Sequence, residues 1–252
     1  FRRVLFRSLC DEYMGKYPVI FLSLKGIDGL TFEEAIIRIT TIIKNEARRH
    51  HYLKNSDKLI EEEIKQFQSL LDGKADDITD SIRLLSELLC KHYGEKTIIL
   101  IDEYDVPLAK ASSHGYYKEM LDVMKSLMAA LKDNTALCFS VITGCLKIAK
   151  ESIFTGTNNF ISDTITASRL NEYFGFVQSD IDHLLQDADA MEYASNIKKW
   201  YDGYHFGDYD VYCPWDVMNY LFELQNNPKA KPISYWKNTS DNAIIRSFID
   251  YS

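Results

Sequence analysis

The chain has 252 residues, of which 46% are hydrophobic and 26% charged, and its formal net charge is −8. This length allows one large domain or two small ones, and the composition is that of an ordinary globular protein. The acidic balance argues against a general binder of nucleic-acid phosphates, and no apolar run approaches the roughly 18 residues that a membrane span needs.

The first eight residues, FRRVLFRS, resemble the translation of a common short-read sequencing adapter. Eight residues are also too few for the three regions of a signal peptide. We therefore expect residues 1–8 to be an artefact and exclude them from the fold. The last residues, RSFIDYS, stop inside an amphipathic helical pattern, so we expect the chain to be truncated at both ends.

Residues 9–169 alternate strand and helix patterns. Tyr17–Leu24 predicts a strand, and Thr31–Glu34 reads as a capping box that starts a helix. Strands separated by helices indicate βαβ units and a parallel sheet, hence an α/β fold. The further predicted helices are Lys58–Leu71, Ile78–Tyr93 and Tyr116–Leu131. The further strands are the apolar run Ile98–Ile101 that leads into Asp102-Glu103, Leu137–Ile142 and a short one near Phe160–Ile165.

The pattern changes at about residue 170. Ser179–Tyr201 predicts one amphipathic helix, the aromatic segment WYDGYHFGDYDVYCPW follows, and Trp215–Gln225 predicts another helix. We therefore expect a helical lid subdomain over residues 170–252.

Five cysteines occur along the chain, an odd number without any C-x-x-C pair. A disulfide framework or a zinc site would need regular spacing, so reduced thiols in a cytoplasmic protein are the better interpretation.

Thr97–Asp105, reading TIILIDEYD, carries the main chemical signal. The apolar run fits a strand buried on both faces of a parallel sheet, and open α/β sheets bind ligands at the carboxyl ends of such strands. This is a Walker B pattern, in which Asp102 would hold Mg²⁺ directly or through a water and Glu103 would polarise the attacking water. A buried strand followed by an acidic turn explains the same residues.

The phosphate-binding half of such a site is missing from the chain. No G-x-x-x-x-G-K-[ST] segment occurs, and the 11 glycines form no phosphate cradle. Either the chain is not an ATPase, or the cradle precedes residue 1.

Seven blocks occur in order along residues 17–245: YPVIFLSL, TIILIDEYDVPL, SVITGCLKIAKESIFTGTNNF, NEYFGFVQSDI, KKWYDGYHFG, VYCPWDVMNYL and YWKNTSDNAII. Each is weak alone, but the ordered series resembles the AAA-ATPase-like family of bacterial and archaeal proteins, which often carry a C-terminal PD-(D/E)xK-type nuclease domain. The resemblance implies a P-loop NTPase-type fold with ATP and Mg²⁺ as ligands. It also implies a phosphate loop of the RRFGKS kind before the YPVI strand, where this chain lacks it.

The resemblance assigns further residues in the first part of the chain. Asp102 and Glu103 match the family's Walker B pair. Thr143 ends the next strand at the sensor position, where its hydroxyl would contact the γ-phosphate or the attacking water. Lys147 matches a lysine of a family segment reading SKFSK. Local pairing of Thr143 with backbone, and an exposed helix-start role for Lys147, stay open as alternatives.

Trp200–Tyr204 matches the family's lid motif. Tyr201 and Tyr204 are therefore candidates to cover the adenine, although an aromatic packing cluster is the favoured interpretation, because Trp and Tyr usually serve packing. His205 stands where many relatives have Arg, and a mostly neutral imidazole is a weaker phosphate ligand than a guanidinium.

We therefore predict an ATP-binding and ATP-hydrolysing switch module, coupled to a nucleic acid through a nuclease-like domain absent from this chain, with a homo-oligomer left open. The alternative is a scaffold module with an ATPase fold that has lost catalysis. A metal-dependent nuclease centred on Asp102, Glu103 and Asp105 is disfavoured because no E-x-K strand follows. Without the central Walker A strand, we expect this chain to be poorly soluble and to bind ATP weakly.

Overall fold

A computed structural model of the chain describes residues 10–73, 78–145 and 160–237. The chain divides into two compact units, Phe1–Phe160 and Ile161–Ser252. The predicted adapter segment, residues 1–8, lies outside the described residues. Among the described helices, none is long and apolar enough to cross a membrane.

The first unit is built on a parallel sheet, as predicted. Its described strands are β1 (Val19–Ser23), β2 (Thr97–Asp102) and β3 (Leu137–Ile142), in the order β1-β2-β3. Ser23 lies beside Asp102, and Ile101 lies beside Ile142, so the three strands end at a common edge. The sequence prediction was correct for all three strands, with β3 matching to the residue.

Five α-helices are described around this sheet: α1 (Phe32–Arg49), α2 (Glu61–Asp72), α3 (Ile78–Tyr93), α4 (Val106–His114) and α5 (Tyr117–Ala129). The capping prediction is confirmed for Thr31, whose hydroxyl accepts a hydrogen bond from the Glu34 N–H. The Glu34 carboxylate accepts instead from the N–H of Leu30, one residue before the expected donor. Helix α4 was not predicted.

The core of the first unit lies mainly on one face of the sheet. Ile99 and Ile101 of β2 are buried there with Ile20 and Leu22 of β1, and the methionines of α5 pack into the same core. The other face of β2 is only half-buried, so the expectation of burial on both faces was wrong for the described structure.

The two outer edges of the sheet differ. The N–H of Phe21 points away from β2 and donates to Oε1 of Glu46 on α1, at 2.9 Å. That carboxylate is 4% exposed and so closes the β1 edge with a buried acceptor. Within the described residues β3 pairs only with β2, and its side chains Phe139 and Val141 are 58% and 37% exposed.

The second unit contains helices and a β-hairpin. Its elements are α6 (Gln178–Asp187), α7 (Ala194–Tyr201), β4 (Asp202–Phe206), β5 (Tyr209–Tyr212) and α8 (Pro214–Asn226). The strands are antiparallel, and Gly207-Asp208 forms the turn between them. The aromatic segment, for which no element was predicted, forms this hairpin, and a lid role for residues 170–252 stays a prediction.

Two predictions in this region were wrong. The single helix over Ser179–Tyr201 breaks after α6, because Asp189 adopts a left-handed backbone conformation with φ 51°. This break turns the chain so that Leu185 and Ile197 enter one core. The short strand near Phe160–Ile165 does not form, and Ile161 there is exposed.

Candidate active site

The candidate site lies at the edge where the parallel strands end. Asp102 is the last residue of β2, and Thr143 directly follows β3. The strand ladder continues one step into the following turns, since the N–H of Thr143 donates to the carbonyl of Ile101 at 2.9 Å. Polar side chains from two sequence segments 41 residues apart are thereby brought together.

Asp102 and Thr143 are in direct contact. The Thr143 hydroxyl donates to Oδ1 of Asp102 at 2.5 Å, and the same oxygen accepts from the N–H of Glu103 at 3.0 Å. These two donors fix the Asp102 carboxylate at the end of β2. Its Oδ2 receives no hydrogen bond from any residue of the described part of the chain.

Glu103 adopts a left-handed backbone conformation, with φ 55°. An L-residue other than glycine rarely does so, because its Cβ crowds the following carbonyl. This conformation turns the chain sharply after β2 and sends the N–H of Tyr104 to the carbonyl of Thr143, at 3.1 Å. The Glu103 side chain is partly exposed.

A second contact joins the same two turns. Asp105 is 1% exposed, and its Oδ1 accepts a hydrogen bond from the N–H of Cys145 at 3.2 Å. Between Thr143 and Cys145, a Cβ built on Gly144 would lie 2.5 Å from that Asp105 oxygen and 2.6 Å from the Tyr104 ring. Only glycine therefore fits this position.

The carboxylates give the site a negative field. Burial raises the pKa of the Cys145 thiol, and the charges of Asp105, Glu103 and Asp102 raise it further. The thiol consequently stays protonated near neutral pH. The same field favours a cation at this edge of the sheet.

A divalent metal at this site would depend on few protein ligands. Within the described ranges no group of three or more His, Cys, Asp or Glu side chains is arranged to hold a metal. Mg²⁺ suits such a site, because it commonly takes one or two carboxylates and completes its shell with water and phosphate oxygens. Asp102 is the carboxylate that fits this role, through Oδ2.

The other predicted site residues lie elsewhere in the sequence, and Tyr201 and Tyr204 belong to the second unit. Lys147 lies outside the described residues. Tyr201 is 4% exposed within the core of the second unit, and its hydroxyl donates to the carbonyl of Ile233 at 3.0 Å. Tyr204 on β4 is 48% exposed and packs near Phe206. His205 contacts Asp210 at 2.8 Å.

Sequence reasoning missed the contributions of Asp105 and Gly144. The signal available for Asp105 was its position before Val106-Pro107, since an acidic residue preceding a proline in a first turn marks a helix start. Helix α4 does begin at Val106. No local pattern, however, connects Asp105 with a backbone N–H 40 residues away.

Comparison with known proteins identifies the first unit. Residues 3–154 match the sequence model of the family described as Predicted AAA-ATPase. The chain belongs to the AAA-ATPase-like family. The match spans more than half of the chain and includes Asp102, Glu103, Thr143 and Lys147, whereas Tyr201 and Tyr204 lie beyond it.

One curated relative is an uncharacterized protein encoded in the vnfD 5′ region of Azotobacter chroococcum mcd 1. It is 29% identical over 148 residues, which are 58% of this chain and 27% of the relative. The chain thus spans about a quarter of the length of that relative. No solved structure matches the chain.

Proposed function

We propose that the chain is the ATP-binding and ATP-hydrolysing switch module of an AAA-ATPase-like protein. One observation carries the proposal. The Thr143 hydroxyl is hydrogen-bonded to the Asp102 carboxylate at the carboxyl ends of adjacent parallel strands, and Glu103 follows Asp102 directly. A Walker B pair and a sensor residue need this juxtaposition, because all three must act on one γ-phosphate and its water.

Each side chain has a distinct role in the proposal. Asp102 would hold Mg²⁺, directly or through a water, while Thr143 and the Glu103 N–H keep its Oδ1 in place. Glu103 accepts a hydrogen bond from the attacking water and orients it for in-line attack. Thr143 donates its single hydroxyl proton to Asp102 here, and it would contact the attacking water as an acceptor or turn its proton to the γ-phosphate. The metal, when bound, neutralises charge on the phosphate oxygens.

The phosphate loop of this site would come from a strand beside β3. Glu46 closes the edge of β1, whereas β3 presents its main chain and the exposed Phe139 to a further strand. A strand added there would end at the same edge as Asp102 and Thr143. Lys147 follows β3 in sequence and is proposed as a nucleotide contact.

The second unit is proposed to respond to the nucleotide. Tyr204 is exposed and available for stacking on an adenine. The proposed nucleotide role of Tyr201 is less supported, because its buried hydroxyl already bonds the Ile233 carbonyl. Coupling to a nuclease domain and a nucleic acid, a bacterial cytoplasmic setting and a homo-oligomeric state rest on family resemblance.

The test is Glu103→Gln in the full-length natural protein. We expect nucleotide affinity to stay within about threefold and turnover to fall by about 10² to 10⁴, because the amide keeps the shape but not the basicity of the carboxylate. Measurements of fluorescent-nucleotide binding and of phosphate release separate the two effects. Glu119→Gln, on the exposed surface of α5, is the matched control and should change neither.

Two outcomes would contradict the proposal in different ways. Equal hydrolysis by wild type and Glu103→Gln would remove Glu103 from the chemistry. Failure of the wild type to bind ATP would favour the scaffold alternative. Phosphodiester cleavage that needs a metal but no ATP would instead revive the nuclease alternative.

A further inference from the structure

We propose that Asp105 and Gly144 are positioning residues that fasten the turn after β3 to the turn after β2, so that Thr143 and Glu103 move as one body. The expected effect on turnover rests on the ATPase function proposed above. The coupling between the two turns rests only on their contacts and is independent of that function.

Two hydrogen bonds that involve proposed nucleotide-contacting residues link the turns after β2 and β3. The turn after β2 contains Glu103 and Tyr104, and the turn after β3 contains Thr143. The Tyr104 N–H donates to the Thr143 carbonyl at 3.1 Å, while the Thr143 hydroxyl donates to Asp102 at 2.5 Å. Both hydrogen bonds involve residues that would contact the nucleotide. Hydrolysis changes the charge of the nucleotide and could therefore weaken either bond.

Asp105 adds a third hydrogen bond between the two turns, and this bond involves no residue that is proposed to contact the nucleotide. Its carboxylate is buried and accepts from the Cys145 N–H at 3.2 Å. Hydrogen bonds to an ionised acceptor are stronger than neutral ones, and a buried carboxylate that loses its donor is costly. Cys145 lies two residues after Thr143, and Asp105 lies two residues after Glu103 and directly before α4. The hydrogen bond between them therefore fixes the two turns relative to each other.

Gly144 makes this link short. A Cβ at this position would meet the Asp105 oxygen at 2.5 Å and the Tyr104 ring at 2.6 Å. Tyr104 is itself buried and has little room to withdraw. The two turns thus touch without an intervening side chain, and a displacement of one is transmitted to the other through contact as well as through hydrogen bonds.

The coupling explains how a strained Glu103 keeps its position. Its left-handed conformation persists only where surrounding contacts over-determine it. Tyr104 and Asp105, the next two residues, are both held against the β3 turn. Loosening Asp105 should therefore release Glu103 from its geometry, although Asp105 has no proposed contact with the nucleotide.

The experiment compares Asp105→Ala with Asp105→Asn in the full-length protein. Alanine leaves the Cys145 N–H without its acceptor, whereas the asparagine oxygen can still accept. We expect Asp105→Ala to lower kcat by about 10 to 100-fold with KM for ATP changed less than about threefold, since small misplacements at a reacting centre cost rates of this size. Asp105→Asn should recover most of the rate.

Glu46→Ala is the matched control. Glu46 is equally buried and also accepts a backbone N–H, but at the β1 edge. Glu46→Ala should lower the free energy of unfolding, but kcat per folded molecule should stay near the wild-type value. If Asp105→Ala and Glu46→Ala have the same kcat relative to their folded fractions, the positioning role is refuted.

Hydrogen exchange separates this inference from the ATPase proposal. Without nucleotide, Asp105→Ala should speed exchange of the Tyr104 amide by about tenfold or more, while the Ile99 amide in the middle of β2 stays protected. Gly144→Ala should do the same. Unchanged Tyr104 exchange in both variants would overturn the coupling whether or not the protein hydrolyses ATP. Absence of hydrolysis by the wild type alongside faster Tyr104 exchange would overturn only the ATPase role.

Discussion

The N–H of Glu103 donates to the carboxylate of Asp102, the residue immediately before it, while the Glu103 backbone is held at φ 55°. The two neighbouring acidic residues therefore differ in their constraints. Asp102 is fixed through its side chain, whereas Glu103 is fixed through a backbone conformation that its own side chain disfavours.

Glu103→Gly is expected to stabilise the protein while abolishing turnover. Glycine adopts a positive φ without steric cost, so the free energy of unfolding should rise by about 1 kcal/mol. Glu103→Ala is the control, because it removes the same carboxylate but keeps the Cβ. Urea unfolding followed by circular dichroism measures the difference, and equal stability of the two variants would contradict backbone strain at this position.

Glu46 should make the first unit sensitive to acid. Burial alone would raise the pKa of this carboxyl, but hydrogen bonds from His50, the Phe21 N–H and Arg49 outweigh burial and hold the pKa below its usual value. A lowered pKa stabilises the fold above the ordinary carboxyl value of 4.5. That contribution is lost as pH falls through the pKa of the folded state.

Glu46→Gln should therefore cost about 2 kcal/mol of unfolding free energy at pH 7 and progressively less as the pH is lowered below about 4.5. Urea titrations at several pH values between 7 and 3 measure this convergence. Glu61→Gln, on the exposed first turn of α2, should give a curve parallel to that of the wild type. A parallel curve for Glu46→Gln would show that the buried carboxylate does not carry the pH dependence.

Gly207→Ala should destabilise the second unit. Gly207 has φ 58°, and an added Cβ would lie 2.0 Å from Nδ2 of the buried Asn171. Backbone strain and overpacking together should lower the free energy of unfolding of the second unit by about 2 kcal/mol or more. The control is Gly203→Ala in β4, where no atom lies within 4 Å of the added Cβ and φ is not positive.

Tryptophan fluorescence measures this effect selectively. The three tryptophans of the chain, Trp200, Trp215 and Trp236, all belong to the second unit. In urea, the fluorescence transition of Gly207→Ala should shift to lower concentration, while that of Gly203→Ala stays near the wild type. Coincident transitions for the two variants would argue that the turn tolerates a side chain.

The sequence was sufficient where local patterns matched the tertiary environment. The apolar run before Asp102 predicted β2, and the pattern before Thr143 predicted β3. Both strands also placed the candidate site, because carboxyl ends of parallel strands share an edge. The hairpin was missed although its signal was present, since Gly207-Asp208 separates two short alternating aromatic runs.

Other features were not readable from the sequence. The break after α6 falls in Ala188-Asp189-Ala190, which contains neither Gly nor Pro. The contact between Asp105 and Cys145 joins segments whose proximity depends on the packing of two turns. Tertiary geometry decides such features, and residue type alone does not.

The two outer edges of the described sheet differ in their free main-chain groups. Glu46 accepts from the Phe21 N–H at the β1 edge, whereas the β3 edge is unpaired in the described sheet. A strand that joins at β3 meets open main chain in the described sheet, whereas one that joins at β1 must displace the Glu46 carboxylate from the Phe21 N–H. Strand addition and association between copies are therefore favoured on the β3 side. One substitution on β3, such as Phe139→Lys, would therefore be enough to discourage self-association without altering the β1 side.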